Sequence, residues 1–129
     1  MAFERIERVE TLEAAADLSA KQFYIVKIST TRTIDVADSA AVAYGVLQDK
    51  PKSGEDGNVA PCGSGGITRL VVDATTDIAV GDYIKSHTNG KGIKATTDKD
   101  RVIGRAMEAA TEDGQIIAVD LAFARDLAA

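Results

Sequence analysis

Short apolar runs, broken every few residues by glycine, proline or polar pairs, dominate the chain. Residues 23–30, FYIVKIST, set Phe23, Ile25 and Lys27 against Tyr24, Val26 and Ile28, an alternation that predicts a strand. TRTIDVAD (31–38) and AVAYGVLQD (41–49) follow as predicted strands, and KPKSGEDGN (50–58) reads as a loop because Pro51, Gly54 and Gly57 break a ladder. NVAPC begins a further short strand, GSGG (63–66) reads as a flexible turn, and ITRLVVDAT puts Leu70 and Val72 on one strand face and Val71 on the other. TDIAVGDYIKS predicts a turn at Val80-Gly81-Asp82 followed by a strand, and Asn89-Gly90 predicts a hairpin tip, since such turns need positive φ. RVIGRAMEAA and GQIIAVDLAF close the chain as strands.

The N-terminal segment supports two readings. In FERIERVETLEAAA (3–16), Phe3, Ile6, Val9 and Leu12 recur every third residue among Glu and Arg, which suits a helix. Leu12, Ala14, Ala16 and Leu18 also alternate, which suits an edge strand or extended arm. Residues 1–16 are therefore expected to form an N-terminal arm on a β-rich domain spanning 17–129. Phe3, Ile6, Val9 and Leu12 have few sequence neighbours to pack on and are expected to dock on another chain or on this protein's own sheet.

One pattern occurs twice. Superposing Gly45 on Gly104 brings Asp49 onto Glu108, and a two-residue insertion in the first copy brings Glu55-Asp56-Gly57 onto Glu112-Asp113-Gly114. Each copy reads as a strand, a polar turn and a returning strand, so the pair predicts the halves of a small, internally pseudo-symmetric barrel or sandwich. Turns place carboxylates where they are solvated or bond the backbone, which accounts for the acidic residues without chemistry.

Composition agrees with a mostly β, folded domain: 129 residues, 45% hydrophobic and 27% charged, with eleven glycines. A net charge of −5 argues against a nucleic-acid partner, which requires clustered Lys and Arg. Lys21, Lys27, Lys50 and Lys52 are interspersed with acids and read as a mixed solvated surface. No apolar run approaches the ~20 residues of a membrane span, so no membrane partner is expected. One cysteine and an opening MAFERIERVE without an apolar core predict synthesis in a reducing cytoplasm.

Candidate chemistry is thin. Cys62 and His87 are single members of their kinds, and their spacing supports no nucleophilic pair. A metal site lacks ligands, no cofactor is expected, and GSGG lacks the continuation of a phosphate or dinucleotide loop.

DLSAKQFYIVK (17–27), GVLQDKP (45–51) and IGRAMEAATEDGQIIAVDL (103–121) together resemble, in order and spacing over residues 9–121, the small capsid decoration or cement proteins of tailed phages. That resemblance implies a β-rich, commonly trimeric structural protein with no enzymatic activity. It would bind the exterior of the expanded head and clamp major capsid protein subunits against DNA pressure. On that reading Phe3, Ile6, Val9 and Leu12 form a capsid-binding arm that orders on contact, and Ile116, Val119, Leu121 and Phe123 form a homotrimer interface or fill the monomer core. The charged FERIER opening and the Cys62-Gly-Ser-Gly-Gly insert depart from the family pattern. A β-barrel carbohydrate-binding or tail-associated module is the alternative, although three Phe, three Tyr and no Trp make a sparse glycan platform. A hydrolase using Cys62 is a more distant one.

Overall fold

The alternation at the N terminus folds as a strand because Glu10, Leu12 and Ala14 turn inward while Thr11 and Glu13 face out. The computed structural model describes residues 4–29, 31–38, 42–96 and 101–121 together with the strand Arg125–Asp126. In chain order the strands are β1 (Arg5–Ile6), β2 (Glu10–Ala14), β3 (Ile25–Ile28), β4 (Thr33–Val36), β5 (Gly45–Leu47) and β6 (Asp56–Pro61). They continue as β7 (Gly66–Asp73), β8 (Tyr83–Ser86), β9 (Gly92–Lys94), β10 (Arg101–Ala106), β11 (Asp113–Asp120) and β12 (Arg125–Asp126).

No helix forms among the described residues, so the extended reading of the N-terminal segment holds and the helical one does not. Pairing decides between them. β2 lies between β6 and β4, and its removal into a helix would open the barrel it closes. β1 pairs with β7, so the described part of the expected arm is woven into both sheets, and the boundary drawn after residue 16 falls inside the first barrel. The polar stretch 50–58 is loop only as far as Glu55, because β6 begins at Asp56 and carries Gly57 and Asn58 into the ladder with β2.

The strands close two barrels of the same topology. In the first, β2 pairs parallel with β4 and antiparallel with β6, β3 pairs with β4 and β5, and β5 pairs with β6. In the second, β7 pairs parallel with β9 and antiparallel with β11, β8 pairs with β9 and β10, and β10 pairs with β11. Strand by strand, β2 to β6 therefore match β7 to β11. Closure leaves neither barrel with a bare central edge.

Each barrel also has a plug after its first strand. Leu18 N–H donates to the Pro51 carbonyl at 2.9 Å, and Ile78 N–H donates to the Ala110 carbonyl at 2.9 Å; both side chains are 2% exposed. A tight turn follows each plug, with Phe23 (φ 66°) and Gly81 (φ 92°) at the matching left-handed position. Phe23 N–H bonds Leu47 and Gly81 N–H bonds Ala106, residues that match in the strand register.

Burial explains why the first barrel's strands read as apolar runs. Val26, Leu47 and Val59 point into the first barrel's own core with Ala14, Leu18 and Ile34. Their neighbours Ile25, Val46 and Ala60 point the other way, into a core shared with Leu70, Val72, Ile84, Ile117 and Val119 of the second barrel. Strands apolar on both faces lose the period of two that a half-buried strand shows.

Candidate functional site

The repeated pattern is the first place to look for function, and it proves to be scaffold. A side chain at Gly45 would run into the carbonyl oxygen of Ala60, and one at Gly104 into that of Asp120. The matching valines, Val59 and Val119, lie beside them. Asp49 accepts the N–H of Asn58 at 3.1 Å, and Glu108 accepts that of Ala118 at 2.9 Å, each just before those valines. The two carboxylates superposed in sequence thus do the same backbone work. The acidic triplets do not superpose: by register, Gly57 in β6 matches Ile117 in β11, whereas Gly114 makes the irregularity at the start of β11 with φ 88°.

The expected arm residues lie in different surroundings. Ile6 is half-buried against the shared core, Leu12 is half-buried against the first barrel's core, and Val9 is 49% exposed. Phe3 lies outside the described residues. Of the residues expected at a trimer interface, Val119 (0%) and Leu121 (1%) belong to the shared core, Ile116 is 46% exposed on β11, and Phe123 lies outside the described residues. Of the two sets, Ile6, Val119 and Leu121 meet in one core, while Val9 and Ile116 are exposed.

Neither single-copy residue is built for catalysis. Cys62 follows β6 and packs against the shared core, and burial pushes its thiol up to about 12, so it is protonated at neutral pH. His87 sits at the base of the β8–β9 hairpin, its Nε2 3.9 Å from Asp73 Oδ2. The Asp73 carboxyl is held below the usual carboxylate range, first by hydrogen bonds from Thr75 (side chain 2.6 Å, backbone 3.1 Å), and less by His87 and Lys91. The Lys91 ammonium is raised, chiefly by its 2.9 Å bond to Asp113. These contacts anchor the hairpin at whose tip Gly90, with φ 82°, offers its carbonyl to Ile25 of the first barrel. A side chain at Gly90 would meet Val36, which is why the Asn-Gly pair predicted for this turn is also a packing requirement.

Among the described residues no group of three His, Cys, Asp or Glu side chains is arranged to hold a metal. A cavity of about 290 Å³ lies outside β8 and β9, lined by Asp73, Lys85, His87 and Lys94 with threonines, and its charges of both signs are partnered. GSGG turns the chain from the first barrel into the second, with Gly63, Gly65 and Gly66 at φ 78°, 84° and 82° and the strand β1 against Gly66.

A two-barrel scaffold of this kind matches a structural family. The profile of the phage cement proteins covers residues 5–121. The chain belongs to the phage cement protein family. It is thus a structural component associated with the phage head, in a family that is not a class of enzymes. Among solved structures, this cement protein is similar to the N-terminal base of the head fibre gp8.5 of bacteriophage phi29, with 19% identity and a TM-score of 0.65. The match covers 92% of this chain and 96% of that one, and it shows a shared fold. No curated protein matches the chain.

Proposed function

We propose that this cement protein binds the outer surface of the expanded phage capsid and stabilises it by bridging major capsid protein subunits as a homotrimer. The family match over residues 5–121 carries this reading, and the closed barrels, which suit a rigid clamp, agree with it. On this reading the chain is made in the host cytoplasm, needs no cofactor and catalyses nothing. Several weak contacts held on one trimer raise one another's effective concentration, so a clamp gains avidity without any single strong site.

The N-terminal segment supplies the capsid contact through Val9, since Ile6 and Leu12 already serve the protein's own cores. Cosedimentation of the purified chain with expanded, undecorated heads tests the reading: saturable binding is expected, weakened by Val9→Ser with the fold intact. A chain that stays in the supernatant at saturating concentration rejects capsid decoration and favours a glycan-binding or tail-associated module. Full binding by Val9→Ser removes the N-terminal segment from the mechanism.

A further inference from the structure

The contact between the two barrels has a pseudo-equivalent counterpart at each end of the molecule. Internally, the first barrel presents Phe23, Ile25 and Gln48 to the second. The Phe23 carbonyl accepts from Val71 N–H at 2.9 Å, Gln48 Nε2 donates to Thr68 Oγ1 at 2.8 Å, and Ile25 N–H donates to the Gly90 carbonyl at 2.8 Å. The second barrel answers with β7 and the β8–β9 hairpin, where Ser86 Oγ also reaches the Ala37 carbonyl at 3.3 Å.

Because the barrels share one topology and register, each side of this contact can be mapped onto the other barrel. Phe23, Ile25 and Gln48 map onto Gly81, Tyr83 and Met107, on an end of the second barrel that faces solvent. Val71, Ser86 and Gly90 map onto Glu13, Ile28 and Arg32, on a face of the first barrel that faces solvent.

Three features distinguish these two surfaces. Large apolar side chains are exposed on both: Val80 (68%) and Met107 (39%) on one, Ile28 (43%) on the other. The hairpin tips share a backbone shape, since Arg32 (φ 60°) repeats the left-handed position of Gly90 (φ 82°). The positions of Val46 and Val71, both buried within the chain, are taken on the two outer faces by Arg105 and Glu13, exposed and of opposite charge.

We propose that copies of this chain associate head to tail, the Val80–Met107 end of one second barrel seating on the Glu13–Ile28–Arg32 face of the next copy's first barrel. The contact is heterologous, is pseudo-equivalent to the internal one except that Arg32 stands where the internal contact requires a glycine, and closes a ring if the rotation between copies closes. It rests on the homo-oligomeric part of the proposed function and assigns that role to a surface away from the buried Val119 and Leu121.

Two measurements without heads test it. In a Cys62→Ser background, the pair Glu13→Cys and Arg105→Cys is expected to give, on oxidation, a ladder of linked chains, while either cysteine alone gives monomer. Monomer from the pair, or a symmetric dimer from one cysteine, overturns the proposal. In sedimentation equilibrium, Arg105→Glu is expected to weaken self-association by roughly tenfold or more, and Glu13→Arg in the same chain to restore it. A wild-type chain that sediments as monomer at every concentration, or a variant pair without rescue, also overturns it. Oligomers that fail to bind heads reject the capsid reading and uphold this one.

Discussion

Gly45 and Gly104 show how much one missing methyl group can determine. Each lets its strand approach the carbonyl of the last strand of its barrel, Ala60 or Asp120, closer than a Cβ would permit. Gly45→Ala and Gly104→Ala are therefore expected to lose about 2–3 kcal/mol, as overpacking does when backbone has to move. Gly114 is different, because its φ of 88° is left-handed but open space surrounds it. Gly114→Asn should lose less than about 1 kcal/mol, since Asn visits that conformation. Urea unfolding of the three variants checks this, and a Gly104→Ala protein within ~0.5 kcal/mol of wild type would refute the close approach. Asp49 and Glu108, superposed along with these glycines in the sequence repeat, accept backbone N–H groups at equivalent positions, Asn58 and Ala118. The acidic triplets misalign because identical residues pair regularly within a ladder in one copy and form the irregularity that opens a strand in the other. Phe23 was invisible as Gly81's counterpart, since an aromatic residue at a left-handed position carries no sequence signal.

At the level of elements, the plugs Leu18 and Ile78 are equivalent although they belong to different cores. Each closes a barrel end and bonds the segment after that barrel's fourth strand. Truncation to alanine is expected to lose about 2–5 kcal/mol in either barrel, the range for large buried side chains that leave a cavity. A loss below ~1 kcal/mol at one site, by the same denaturation assay, would show that the barrel end collapses without its plug. Most strands were legible from alternation and turn residues, but β2 was ambiguous. Its short amphipathic pattern fits either period, and only its partners β4 and β6 make the extended form the lower in free energy. Residues 56–58 carry a loop's sequence signal although they lie in β6, because polarity and glycine outweigh pairing in any local rule.

Across the whole molecule the barrels share a core, so they should unfold together. Ile25, Val46 and Ala60 of the first barrel are buried with the second barrel's side chains, and opening one barrel exposes apolar surface on the other. Coincident urea transitions by tyrosine fluorescence and far-ultraviolet circular dichroism are expected. Two separated transitions would mean that the shared core couples the barrels weakly.

The sequence by itself determined the β class, the existence of an internal repeat, and a resemblance confirmed by the family profile over residues 5–121. These depend on local preference, residue inventory and patterns that a linear string preserves. Tertiary structure decided that the repeat closes two barrels, that Ile6, Leu12, Val119 and Leu121 pack inward while Val9 and Ile116 remain exposed, and that Val80 and Met107 are exposed on the second barrel and Glu13 and Ile28 on the first. Those outcomes depend on which strands pair and on what lies across each face, and residues far apart in the chain supply both.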